Sequence, residues 1–167
     1  IDMLSEGTAD ILQTGLSRSF MALDRGVEDA PLHVAEINQR DGFFIVAHSA
    51  AADWEWADLE GKTLVTIGFT PVPWMSLRYV MIGQSVEIDA VRLVEGLRAQ
   101  DAIEHFKSGR AYYIQMPNPQ AQQLVDDGSG HIVTAIGAFL GYMSYSSFAV
   151  SPSYLDSTRN DESGTHD

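Results

Sequence analysis

The sequence predicts an α/β fold built from two units, and three observations carry that prediction. From Asp58 onwards, apolar runs of strand length alternate with segments of helical period. Several of these strands run directly into a helix opening marked by proline, serine, threonine or asparagine. A short phrase, in which a helix ends at glycine and a strand follows, also occurs twice. It reads Gly7-Thr8-Ala9-Asp10-Ile11-Leu12-Gln13 and again Gly109-Arg110-Ala111-Tyr112-Tyr113-Ile114-Gln115, with Gly, Ala and Gln at equal offsets.

Taken in order, Ile1 to Leu4 read as the interior of a helix. Residues 9–14 predict a buried strand, and 17–25 a short helix closed by Gly26. Residues 31–38 and 42–48 read as extended, with a turn or crossing point at Asp41-Gly42. The connection over 49–58 is rich in Ala and Trp, and Trp54 and Trp56 are expected to pin it down. Lys62–Ile67 is an apolar strand. Thr70 is the expected N-cap of the next helix, with Pro71 at its first position and its end near Ile82, before Gly83. Val91–Val94 is a strand. Ala99, Ala102, Ile103 and Phe106 then recur at helical spacing up to Gly109. Tyr112–Gln115 is a strand, and Asn118-Pro119 caps a helix carrying Ala121, Leu124 and Val125 on one face. Ile132–Ala135 and residues 145–150 are the last strands, and Pro152 follows. The rhythm predicts a mostly parallel sheet covered on both faces. The polar stretch 157–167 is expected to be a flexible tail.

Composition narrows the function. At 167 residues and 45% hydrophobic the chain has enough apolar material for one domain or two small lobes. A net charge of −13 argues against nucleic acid as a partner, because like charges repel. With no cysteine there is no thiolate zinc site, disulfide or cysteine nucleophile. No run approaches the ~20 apolar residues of a membrane span. No nucleophile elbow, phosphate loop or metalloprotease helix motif occurs. His33, His48, His105, His131 and His166 are scattered without metal-ligand spacing, and Asp101 with His105 reads as a surface pair. No catalytic residue, metal or cofactor is expected.

Three junctions combine a strand end with a helix start: Thr14–Ser19, Gly68–Trp74 and Met116–Gln120. Ligands of open α/β sheets sit beyond the carboxyl ends of strands, where helix N–H groups favour anionic or strongly polar groups. Arg18, between Ser17 and Ser19, offers a bidentate grip on a carboxylate, sulfonate or phosphate. Trp74, after the doubled proline Pro71-Val72-Pro73, offers a flat apolar surface, although Trp74, Leu77 and Met81 also fit a buried stripe.

The stretch Asp53–Gly61 followed by Lys62–Gly68 resembles the entry to the second lobe of the periplasmic substrate-binding proteins of ABC importers, nitrate/sulfonate/taurine and thiamine-pyrimidine-precursor type. Gly7–Ile11 with Ser17-Arg18-Ser19 is similar to that family's first-lobe strand and ligand loop. Phe106–Leu124 and Tyr145–Pro152 resemble its later strand–helix segment and the strand recrossing to the first lobe. The resemblance implies a two-lobed α/β fold with one complete lobe and one partial lobe. The expected boundaries are 1–47 (partial first lobe), 48–142 (second lobe), 143–156 (crossing strand) and 157–167 (tail). It implies a small polar or anionic organic solute (a sulfonate, carboxylate or pyrimidine), gripped by Ser17, Arg18, Ser19, Thr70, Trp74 and Asn118. It further implies a membrane permease as partner, an extracytoplasmic location, and hinge closure at 42–48 and 145–150. Neither the family's first strand and helix nor its carboxyl-terminal helices after Pro152 are expected here, a polar tail standing in place of the latter, and the export signal is expected to lie upstream of Ile1. An incomplete lobe exposes apolar sheet, so self-association is expected. Two alternatives are a thiamine-pyrimidine biosynthetic enzyme relative, whose cysteine and histidine motifs are absent, and the effector domain of a transcription regulator, for which no basic DNA-binding segment is present.

Overall fold

A computed structural model describes residues 2–67 and 71–162. They fall into two compact units, one formed by 1–40 with 142–167 and the other by 41–141.

The first unit opens with helix α1 (Asp2–Ser5), strand β1 (Ile11–Thr14), helix α2 (Leu16–Asp24) and strand β2 (Leu32–Asn38). It is completed by β8 (Ser146–Val150) and helix α7 (Pro152–Glu162). The sheet order is β1-β8-β2, with both pairings antiparallel. α2 ends where predicted, at a left-handed Gly26 with φ 76° that a side chain would strain. Strand β2 carries two register irregularities, between His33/Ala35 and Glu36/Asn38, of the kind that blunt an edge strand against further pairing.

The second unit contains β3 (Phe43–Ala47), β4 (Thr63–Ile67), α3 (Pro71–Gly83), β5 (Arg92–Leu97), α4 (Ala99–Lys107), β6 (Tyr113–Pro117), α5 (Gln120–Asp126), β7 (His131–Ala135) and α6 (Ile136–Leu140). The strand order is β5-β4-β6-β3-β7. The strand–helix alternation read from the sequence produces the parallel pairings of β4 with β5 and with β6. β3 enters antiparallel between β6 and β7. Both faces are covered there, and Ile45, Val46, Leu64, Val65, Ile114 and Met116 are fully buried. On the helices, Leu77, Met81, Ala102, Phe106, Ala121 and Ile136 are buried with them. Burying a side chain of Val to Phe size stabilises by roughly 1.5–3 kcal/mol, so this layer dominates the unit's stability.

The structure departs from the sequence reading at three places. Residues 43–47 were expected in the first lobe and lie in the second unit, because every residue of β3 pairs with β6. The units join at 40–41 and 141–142, outside strands β3 and β8 rather than within them. The tail expected over 157–167 is helical as far as Glu162, within a helix that starts at Pro152, and 163–167 lie outside the described residues. Helix α7 starts cleanly because the Ser151 hydroxyl accepts from the Tyr154 N–H at 3.1 Å, with Pro152 at the first position.

The connection between β3 and β4 is held by aromatic packing. Trp54 and Trp56 meet edge to face at 5.3 Å, and Trp56 meets Phe139 likewise. Trp54 Nε1 donates to the Tyr113 hydroxyl at 3.2 Å. His48 stacks on Phe106 at 4.1 Å, and its Nε2 lies 2.8 Å from the Phe106 carbonyl and 3.1 Å from that of Ala111. Asp101 pairs with Arg98 at 2.9 Å rather than with His105, an exposed contact worth little.

A Cβ added at Gly130 would stand 2.6 Å from Val46 Cγ1, 3.1 Å from the Ala47 carbonyl and 3.2 Å from Phe106 Cε1. Gly130→Ala is therefore expected to destabilise the second unit by about 1–3 kcal/mol, read as a lower urea midpoint. An unchanged midpoint would mean the loop before β7 yields freely.

Candidate functional site

The carboxyl ends of the parallel strands β4 and β6 meet the start of α3 at one end of the second unit. Pro71 opens that helix as predicted, and a second proline at position 73 is tolerated because first-turn N–H groups lack intrahelical partners. Trp74 is half-buried, at the edge of the buried stripe that Leu77 and Met81 form. Thr70 lies outside the described residues. Asn118 is exposed, across a cis bond from Pro119, and its Oδ1 accepts from the Gln122 N–H at 3.2 Å. Its side-chain oxygen thus serves the start of α5.

Sequence reasoning missed three polar side chains at this end. Gln115, on β6, is completely buried; its Nε2 donates to the Pro73 carbonyl at 2.8 Å while its Oε1 has no partner. Asp41 is buried just before β3. Its Oδ1 accepts from the Phe43 N–H at 2.7 Å, while its Oδ2 has no partner. Burial pushes its pKa up, opposed by the Phe43 N–H and the nearby Ser76 hydroxyl. Ser76, on α3, is buried and close to Asp41, yet short of hydrogen-bond geometry, so its Oγ is also unpartnered. Their one sequence signal is polarity at apolar-patterned positions; Gln115 closes an otherwise apolar strand.

A cavity of about 180 Å³ lies at the opposite end of the strands, among Ser49, Trp54, Lys62, Tyr112 and Tyr113. It is far from the strand ends where ligands of open α/β sheets bind.

In the first unit the junction before α2 is split. Ser17 is half-buried and Arg18 exposed, and among the described residues Arg18 has no ion-pair partner. Ser19 turns inward. Its Oγ lies 2.8 Å from His33 Nε2, and His33 Nδ1 lies 2.5 Å from Ser147 Oγ, which ties α2, β2 and β8 together. A neutral imidazole has one N–H, so one serine hydroxyl must donate to His33 and the other accept. The predicted ligand contact at Ser19 is thus occupied by an internal partner. Among the described residues no group of acidic or histidine side chains is placed to hold a metal ion, and no helix is long and apolar enough to cross a membrane.

Comparison with solved structures shows what this architecture matches. The sulfonate-binding protein SsuA of Escherichia coli superposes with a TM-score of 0.77 at 15% identity, over 98% of this chain and 54% of that one. The alkanesulfonate-binding SsuA of Xanthomonas axonopodis pv. citri, bound to MOPS, gives 0.70 at 21% identity, over 93% and 52%. The fold is that of the periplasmic substrate-binding proteins. In sequence, the candidate binding protein YtlA of Bacillus subtilis (strain 168) is 30% identical over 154 residues, which is 92% of this chain and 46% of YtlA. No family model matches the chain. The chain spans about half the length of each of these relatives. All three are named as binding proteins, and none as an enzyme.

Two pH responses follow. Burial lowers the pKa of His33 below its usual 6.5, so the folded state holds it neutral. Between the lowered value and 6.5 the unfolded chain binds more protons, so stability is lost as pH falls through that window. His33→Gln is expected to flatten the melting temperature against pH there. Asp41 has the opposite sign: its raised pKa means stability falls as pH rises from 3.8 through the folded value. Asp41→Asn, which keeps the acceptor for Phe43, is expected to melt above the parent at pH 7, with the gap closing below pH 3.8.

Proposed function

We propose that this chain is the solute-binding receptor component of an ABC importer, holding a small polar organic solute by non-covalent contacts and presenting it to a membrane permease outside the cytoplasm. The observation that carries this reading is the receptor fold with its strand carboxyl ends and α3 start lined by polar groups that lack partners. The names of the SsuA neighbours favour a sulfonate or related anion. Arg18 and Ser17 are the proposed contacts from the first unit, and Trp74 from the second, with Thr70 included on sequence alone. Ser19 and Asn118 keep a secondary place, since each already has an internal bond.

A thermal-shift screen against alkanesulfonates, taurine, nitrate and aminopyrimidines tests this directly. A ligand that binds only the folded state raises its melting temperature by mass action. Arg18→Ala is expected to weaken the best hit about 10-fold or more, from the loss of a charge-assisted hydrogen bond. Trp74→Ala should weaken it without lowering stability by a comparable amount. Unchanged affinity in both variants would overturn the site assignment.

Self-association belongs to the same reading. In the first unit Ile11, Leu32 and Phe148 share the sheet face away from His33 and Ser147, and all three are exposed. A second copy of this chain is the proposed cover, and sedimentation at high micromolar concentration is expected to show a dimer; a monomer there would remove the proposal.

A further inference from the structure

The cavity beside the β3–β4 connection is walled by rings. Tyr112 and Tyr113 meet edge to face at 4.8 Å, and Trp54 meets Tyr113 the same way at 6.4 Å. They enclose about 180 Å³, open to solvent at one side where Ser49 and Lys62 are exposed, with Tyr113 buried at the floor. A cavity of about 150 Å³ is enough to take a benzene ring. A flat ring among walls set at steep angles gains stacked and edge-on contacts together.

The polar groups of the wall divide into spent and free. The Tyr113 hydroxyl accepts from Trp54 Nε1 at 3.2 Å and donates to the Asp58 carbonyl at 3.4 Å, which uses both of its roles. Ser49 Oγ and the Tyr112 hydroxyl lie 2.7 Å apart, so one O–H is spent between them and the other is left to give. Lys62 Nζ stands 5.2 Å from the centre of the Tyr112 ring, and among the described residues Lys62 forms no ion pair. What remains is donor hydrogen and one positive charge. Asp58 lines the same wall, but its Oδ2 accepts from the Glu55 N–H at 3.0 Å, and its charge turns an anion toward the Lys62 side.

We infer that this cavity is a second binding site, for a flat aromatic carboxylate. The ring packs on Trp54 and Tyr113. The carboxylate stays at the mouth, received by Lys62 and by the spare hydroxyl proton of the Ser49–Tyr112 pair. The site lies at the end of the strands opposite the proposed solute contacts, and it stands or falls without them. Its occupant touches the connection through Ser49 and Trp54 and the strand entries through Lys62 and Tyr112, so it clamps one to the other.

The test follows the indole N–H signals of the 3 tryptophans by NMR while the 167-residue chain is titrated with benzoate, benzamide and cyclohexanecarboxylate. Single Trp→Phe variants assign the signals. Benzoate is expected to move the Trp54 signal and leave that of Trp74 in place, with a Kd on the order of 1 mM, the scale for a ligand of about nine heavy atoms. Benzamide lacks the charge and cyclohexanecarboxylate the flat ring, and each should bind about 5-fold more weakly. Lys62→Gln, at an exposed position that folding does not depend on, should bring benzoate level with benzamide, while Arg18→Ala leaves it unchanged. No movement of the Trp54 signal at concentrations ~10-fold above that Kd overturns the inference. Equal benzoate binding by the parent and Lys62→Gln overturns it as well. So does a response lost in Arg18→Ala, which would put benzoate among the proposed solute contacts. None of these results touches the receptor reading, which the solute screen decides.

Discussion

The second unit depends on one buried amide. Gln115 sits in the middle of a fully covered sheet, where polar side chains are normally excluded, and its Nε2 holds the Pro73 carbonyl at 2.8 Å. That bond joins β6 to the first turn of α3, so it sets where the helix begins above the strand ends. Two prolines in that turn already restrict its backbone, and the amide selects one position for a segment that has few others. Replacing Gln115 by leucine would remove this tie while the Pro73 carbonyl keeps its helical partner, at a cost of about 0.5–1.5 kcal/mol. The amide also has a second end, Oε1, that no group in the unit satisfies. Gln115 therefore fixes the helix start through one end of its amide and leaves the other end unpaired.

The repeated phrase shows how far sequence similarity reaches here. Gly7 and Gly109 both adopt left-handed backbone, at φ 67° and 77°, and both lie just past a helix and before a strand. The two copies therefore share local structure. Their glutamines do not share a role. Gln13 is exposed on a three-stranded sheet and its Nε2 reaches Ser146 Oγ at 3.4 Å, whereas Gln115 is fully buried. Equal offsets encode equal turns; burial comes from the layers stacked on each sheet, which the phrase does not contain.

The same division explains what was legible. Alternation, helix caps and glycine stops are local, and β4, α3, α4, β6 and α5 follow them closely. Membership of β3 in the second unit is non-local: nothing in Phe43–Ala47 says that its partners are 113–117 and 131–135. Helix α6 was missed because His131–Leu140 passes from strand to helix without a breaking residue. Trp74 and Arg18 stand out as candidates in the sequence because proline, aromatic and cationic residues announce themselves. Asp41 was read as a turn residue, and Ser76 not at all, since their meaning is an unpaired oxygen, which exists only after packing. The internal bond of Ser19 is hidden for the mirror-image reason: its partner His33 is fourteen residues away.

The first unit obeys a different balance. A three-stranded sheet with a few short helices buries little apolar area, and small units are marginal for that reason. The Ser19–His33–Ser147 chain then matters more than it would in a larger core, because it pins the helix to two strands through one side chain. Protonation would turn both ring nitrogens into donors, which the two serine oxygens can accept, so what opposes the charged ring is its burial rather than a lost partner. Burial thus favours the neutral form at both His33 in the first unit and Asp41 in the second. Because one is a base and the other an acid, acidification works against the first site and relieves the second, and the two sites respond to pH with opposite signs.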